Sequence, residues 1–338
     1  MLSVLCTKKG QLKNINGKIP FPEENELLIK IHQCGICGSD IQIYHGQHPY
    51  AKKPLVMGHE CIAEVVKTGK NVKNVIKGDW ITVQPQVFCG ECPECNSGHT
   101  NVCENMKFMG VHIDGFFSEY AVVPEWNAIK LDNSENSDAA MLTEPAAVAV
   151  NASRRAGIQP GMYVVVIGAG TIGNLTAQVC RQMGAKVLIT DIQDSKLDFA
   201  KKCDIDYCIN TSDMDLKQGI KKGFGEKQAD LIIDCAAVSG VFGQMVQCAM
   251  GGSKIVLVGN YKKEVTIDLS KIQRKEIDIR GVMQYNRNDF VGAIQLLKHR
   301  HIKTEGMISE RFSLENLGKA FTYIEEHPEV MKVAIMME

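Results

Sequence analysis

Between Tyr163 and Asn260 four apolar runs, YVVVIGAG, KVLITDI, DLIIDCAA and SKIVLVGN, stand at helix-length intervals. Strands that are apolar at nearly every position need cover on both faces, so this alternation calls for a parallel, doubly wound sheet flanked by helices. Gly168-Ala169-Gly170-Thr171-Ile172-Gly173 ends the first strand and opens the helical run NLTAQVCRQMG, the context that gives a G-x-G-x-x-G meaning. The second strand ends at Asp191, 23 residues after Gly168, where a carboxylate can accept hydrogen bonds from ribose hydroxyls. The glycines let the backbone approach a pyrophosphate at the positive end of the helix. Asp191 repels a 2′-phosphate, and Ile192 and Gln193 supply no arginine to bind one, so the reading is NAD rather than NADP. Lys196 is a candidate ribose contact, set against the plainer reading of a solvated lysine. The rival for the whole motif is a Rossmann-like domain for another nucleotide, such as FAD or a methyl donor.

From Leu27 to about Val123 the pattern is different: short β-rich runs (LLIKIHQCG, CIAEVVKTG, DWITVQP, FSEYAVVP) broken by Gly, Pro and Asn. They indicate an irregular antiparallel barrel or sandwich, and 338 residues with 45% hydrophobic content suffice for two cores. In this half Cys89, Cys92, Cys95 and Cys103 form C-x2-C-x2-C-x7-C. Two-residue gaps let successive sulfurs curl around one zinc ion at about 2.3 Å. The opening MLSVLCTKKGQLKN has no apolar run of signal-peptide length, so a reducing, cytoplasmic setting is expected and disulfides are set aside. A closed four-thiolate site is structural and offers substrate no open position. A formal charge of -1, from 38 basic and 39 acidic residues, gives no field for nucleic acid or anionic membrane. No apolar stretch approaches the roughly twenty residues that span a bilayer.

Chemistry therefore falls to other residues. Cys37, in GICGSD, and His59-Glu60, in GHE, offer a thiolate, an imidazole and a carboxylate from separate loops. Such a three-ligand zinc site keeps a fourth position for water or a substrate oxygen. Singly, His59 reads as an ordinary loop histidine and Cys37 as a buried thiol; the case rests on their company.

Taken in order, GICGSD at 35 to 40, GHE at 58 to 60, the cysteine lobe, GVHIDGFFSEYAVVP at 110 to 124, TEP at 143 to 145 and GAGTIG with Asp191 resemble the zinc-dependent medium-chain dehydrogenases. The likeness is to the polyol and sugar branch typified by sorbitol dehydrogenase. It implies a GroES-like, mostly-β catalytic domain of residues 1 to 148 and 286 to 338, with a structural zinc lobe at about 85 to 108. A Rossmann NAD domain would occupy 149 to 285. It further implies that Cys37 and His59 bind a catalytic zinc, that Glu60 and Glu144 ligate it directly or stand behind it, and that Ser39 takes the alcohol proton. Asp40 would support His59. A homodimer or homotetramer acting on a small-molecule alcohol is expected.

Two departures bear on substrate. Many relatives place a proton-passing histidine five residues after the catalytic cysteine, where this chain has Gln42, which cannot titrate. His45 is one substitute, exit through ribose hydroxyls and water is another, and a surface role for His45 is the third reading. Sorbitol dehydrogenases also carry an Arg-Tyr pair where this chain reads Gln284-Tyr285, which questions sorbitol itself and leaves Tyr285 as a substrate-pocket candidate. The expected reaction is NAD-linked oxidation of a secondary alcohol to a ketone. Its rivals are a 2,3-butanediol or L-threonine 3-dehydrogenase activity and, from another class, a non-enzymatic zinc and nucleotide-binding scaffold.

Overall fold

The computed structural model describes residues 1–132 and 138–337. The chain divides into two compact units, Met1–Glu144 with Thr304–Glu338, and Pro145–Lys303. Residues 145–148 and 286–303, expected in the first unit, thus group with the second. The reason is packing. Within the second unit the helix Arg287–Lys298 is tied back by Arg154 to Asp289 at 2.7 Å, and Asn151 donates to the Gln284 carbonyl at 2.8 Å.

The first unit is mostly β, as the punctuated runs require. Its strands are β1 (Leu2–Lys8), β2 (Gln11–Asn16), β3 (Glu26–Gly35), β4 (Leu55–Val56), β5 (Glu60–Thr68), β6 (Trp80–Val83), β7 (Gln86–Val87), β8 (Lys107–Phe108), β9 (Tyr120–Pro124) and β10 (Ala128–Lys130). When the chain returns it adds β17 (Ile308–Ser313) and β18 (Lys332–Met336). The main sheet runs β10-β6-β5-β3-β18-β17, with β9 also on β3. β3 lies antiparallel to both β5 and β18, with Gly35 opposite Glu60 on one side and opposite Ala334 on the other. Apolar side chains such as Ile29, Ile31, Phe117 and Ile335 are fully buried and fill its core.

The second unit holds β11 (Tyr163–Ile167), β12 (Lys186–Asp191), β13 (Tyr207–Asn210), β14 (Ala229–Asp234), β15 (Ala249–Leu257) and β16 (Asp278–Gly281). Their order is β13-β12-β11-β14-β15-β16 and every neighbouring pair is parallel. Val164, Val165 and Val166 of β11 are all fully buried, so both faces of the strand are covered. The order reverses between β11 and β14, the switch point at whose carboxyl ends such sheets bind ligands. No helix among the described residues is long and apolar enough to cross a membrane.

Candidate active site and metal centres

The register of three strands assembles the first centre. Because Gly35 ends β3 opposite Glu60, which begins β5, the turn after β3 carries Cys37 back to His59 and Glu60. One ligand atom from each of the three lies within 4.8 Å of the others. Cys37 caps the short helix Gly38–Tyr44, and Asp40 in its first turn accepts the Cys37 N–H at 2.9 Å and the Gly58 N–H at 3.2 Å. The Asp40 carboxylate, which burial pushes up from its ordinary value, lies 3.7 Å from His59 Nδ1. A carboxylate facing one ring nitrogen is the arrangement that orients a metal-binding imidazole. Burial opposes charge on His59, but Asp40, then Cys37 and Glu144, outweigh it and raise His59 well above the usual histidine range. Ser39 sits half-buried in the first turn of the same helix.

Lys332 completes this centre, and no sequence pattern pointed to it. It heads β18, and its ammonium donates to both oxygens of Glu60, at 2.8 and 2.7 Å, and to the Ile36 carbonyl at 3.1 Å. Gly35 leaves room for that reach: a Cβ there would stand 2.2 Å from Glu60 Oε2, so a larger residue would push the carboxylate out of its present position against Lys332. The one signal available in the sequence was a lysine opening an apolar final strand. Burial opposes the Lys332 charge, yet Glu60, Cys37 and Glu144 raise its pKa. Glu144 is buried at the start of the helix Thr143–Ala156, outside the tight three-atom group but close enough for its charge to act on His59 and Lys332. Cys37, His59 and Glu60 bring three donor atoms together, and the charge of Glu144 acts on the same place. Thiolate, imidazole and carboxylate suit zinc.

The other relay candidate is placed differently. His45 caps the far end of the helix that begins after Cys37, about 12 Å along its axis by helical rise, and pairs there with Glu325. Gln42 occupies the same helix, half-buried.

The second centre is local. One sulfur from each of Cys89, Cys92, Cys95 and Cys103 lies within 4.8 Å of the rest. Backbone N–H groups point at the sulfurs, Cys92 N to Cys89 Sγ at 3.4 Å and Cys95 N to Cys92 Sγ at 3.5 Å. N–H groups of Glu91 and Cys92 pull the Cys89 thiol down to about 6, while Cys92 is pushed up to about 12 and Cys95 is raised as well, so without a cation the clustered sulfurs share their negative charge unequally.

In the second unit Gly168 and Gly173 form the turn between β11 and the helix Thr171–Gln182. A Cβ on Gly173 would stand 1.8 Å from the Gly168 carbonyl, so the turn closes only with glycine. Gly170 caps the helix with no side-chain acceptor of its own, and the N-terminus of a helix favours an anion. Asp191 braces the turn by accepting the Ala169 N–H at 2.7 Å and the Ile192 and Gln193 N–H groups at 2.8 and 3.0 Å. Carboxylate oxygens keep further acceptor capacity for hydroxyls. Lys196 lies on the following helix, Asp194–Lys202. Gln284 and Tyr285 belong to this unit, with Tyr285 fully buried and its ring 5.4 Å from Phe290.

Residues 23–133 match the family described as the alcohol dehydrogenase GroES-like domain, and residues 171–299 match the zinc-binding dehydrogenase family. The L-galactonate-5-dehydrogenase of Escherichia coli K12 is 33% identical over 319 residues, covering 94% of this chain and 93% of that protein. A solved alcohol dehydrogenase from E. coli CFT073, complexed with NADH, has a TM-score of 0.93 at 33% identity and covers 99% of both chains. A zinc-binding dehydrogenase structure from Sinorhizobium meliloti 1021, bound to NADP, has a TM-score of 0.94 at 30% identity, covering 99% of this chain and 98% of that one.

Proposed function

Because the chain belongs to the zinc-binding dehydrogenases, in the sorbitol dehydrogenase-like branch of the zinc-dependent medium-chain family, we propose that it catalyses the reversible, NAD-linked oxidation of a secondary alcohol, in a polyol, sugar or sugar acid, to a ketone. The observation that carries this reading is the meeting of Cys37, His59 and Glu60 donor atoms within 4.8 Å, with the Asp40 carboxylate beside the His59 ring. Cys37 and His59 hold the metal, with Glu60 and Glu144 as the carboxylate donors. Zinc there supplies Lewis acidity that brings ionisation of an alcohol toward neutral pH, and NAD supplies a two-electron acceptor. Ser39 takes the hydroxyl proton at Oγ. Asp40 keeps the His59 ring oriented, and Lys332 holds the Glu60 charge in place. Asp191 favours NAD by meeting ribose hydroxyls with a carboxylate. The four lobe cysteines hold a second, structural zinc.

The test is NADH formation, read by absorbance, with zinc-loaded protein on sugar acids, polyols, sugar phosphates, butanediols and threonine, with and without a chelator. Chelator-sensitive turnover confined to one substrate group, abolished in Cys37→Ser with NAD binding retained, is expected. Turnover of butanediol or threonine alone would select a rival activity. Zinc and NAD binding with no turnover of any alcohol would favour the scaffold.

A further inference from the structure

The loop after β14 is wedged between the glycine turn and the end of β15. A Cβ on Gly168 would stand 3.1 Å from Ala236 Cβ, and one on Gly173 would stand 3.4 Å from Cys235 Cβ, so residues 235 and 236 lie directly against the turn. On the other side a Cβ on Gly259 would stand 2.8 Å from Ala237 Cβ. Backbone bonds hold the edges of the wedge. Cys235 N–H donates to the Ile167 carbonyl at 2.9 Å, and the Val258 and Gly259 N–H groups donate to the Asp234 carbonyl at 2.9 and 3.0 Å.

One side chain organises this loop. Asp234, the last residue of β14 and 1% exposed, accepts the Ala236 and Ala237 N–H groups at Oδ1, each at 3.0 Å. Its Oδ2 accepts the Tyr261 hydroxyl at 2.5 Å. The Tyr261 ring is set in turn edge-on to Phe242, with centroids 6.3 Å apart. Burial, then the bond to Asp234, push the Tyr261 hydroxyl up from its ordinary value, so it remains a donor. Between these fixed points Ala237 is held at a φ of 52°, the left-handed region that an L side chain rarely adopts. Such a conformation persists only where the surroundings over-determine it, and it gathers at binding sites.

The place of the loop in the sheet gives it a task. A doubly wound sheet binds a dinucleotide across its switch point, one mononucleotide on each half. Asp191, the proposed ribose acceptor, ends β12, whereas β14 and β15 lie on the other side of β11. The loops that follow β14 and β15 therefore border the half left to the nicotinamide nucleotide. We propose that Asp234 and Tyr261 are positioning residues for the cofactor: acting through residues 235–237, their hydrogen bond fixes the wall of the nicotinamide half against the glycine turn. The inference rests on the NAD reading of that turn. Loss of the phenol oxygen loosens the wall and leaves the adenosine half as it was.

The experiment titrates AMP and NADH into the zinc-loaded full chain by calorimetry and records the emission of bound NADH. It compares wild type, Tyr261→Phe, which keeps the ring on Phe242, Asp234→Asn, which keeps an acceptor for the loop, and the double variant. AMP reaches only the adenosine half, so its affinity is expected to be the same in all of them. NADH affinity is expected to fall about three- to tenfold in each single variant, the effect of one hydrogen bond, with the emission of bound NADH moved toward that of free NADH. The double variant should lose no more than the weaker-binding single variant, because the two residues act as one unit. NADH affinity unchanged in both single variants overturns the positioning role. So do AMP and NADH affinities reduced by the same factor, which would assign the pair to the general stability of the fold. The expected pattern of binding, with no alcohol oxidised by wild type, upholds the pair and sinks the dehydrogenase reading instead. Wild type that binds AMP and not NADH overturns the pair and the NAD reading together.

Discussion

Lys332 and Glu60, 272 residues apart in the chain, form a buried ion pair in which one ammonium meets both carboxylate oxygens, at 2.8 and 2.7 Å. Their side chains are 5% and 1% exposed, so neither charge has water as an alternative partner. Lys332→Met therefore leaves Glu60 buried without its counter-charge, a change that costs about 3–5 kcal/mol. Urea unfolding of Lys332→Met, Glu60→Gln and the double variant measures it. The double variant should recover most of the stability and none of the turnover, and strictly additive losses would contradict the pairing.

Gly35 is expected to act on the same pair from a distance in sequence. In Gly35→Ala the new Cβ enters the space of Glu60 Oε2, so the carboxylate must swing away from Lys332. Stability should fall toward that of Lys332→Met, with zinc affinity reduced as well. An alanine variant with wild-type stability and zinc content would show that Glu60 does not need to cross β3.

Asp191→Ala removes both the proposed ribose acceptor and the brace on the Ala169 N–H. The expected result is a fall in kcat/KM for NAD of about ten- to hundredfold, with NADP losing less because its 2′-phosphate no longer meets a carboxylate. The ratio of the two cofactors, measured at one substrate concentration, checks it. Equal losses for both would confine Asp191 to shaping the turn.

Asp79 gives a pH prediction. Burial resists its ionisation, but Lys130 at 2.7 Å and the Ile76 N–H at 2.9 Å prevail and hold the carboxyl below its ordinary value of 3.8. A depressed pKa contributes stability that is present above the unfolded value and lost as pH falls through the folded one. The melting-temperature gap between wild type and Asp79→Asn should be widest at neutral pH and close below about pH 4. A gap that persists in acid would assign the effect to shape rather than charge.

What could be read from the sequence was whatever sits in short range. The four lobe cysteines span 15 positions, and the Gly168–Gly173 turn lies between a strand and a helix that announce themselves by apolar pattern, so spacing alone carried the geometry. The Cys37–His59 pairing needed the resemblance, because a one-residue register between β3 and β5 decides it. Lys332 stayed hidden because its partner lies across a strand that arrives from the other end of the chain, and a lysine at a strand's start reads as solvated. The grouping of 286–303 with the second unit was hidden for a similar reason: Arg154–Asp289 and Asn151–Gln284 are tertiary bonds with no local signature.

The order of β18 along the chain also has a consequence during synthesis. Cys37, His59, Glu60 and Glu144 are all made before residue 145, but the strand that completes their sheet and carries the neutralising lysine follows the entire second unit. At ribosomal elongation rates the 272 residues between Glu60 and Lys332 take on the order of tens of seconds. Throughout that interval the nascent first unit holds an uncompensated carboxylate and an unpaired edge at Gln33, Cys34 and Gly35 of β3, so its final stability is acquired only once β18 has left the exit tunnel.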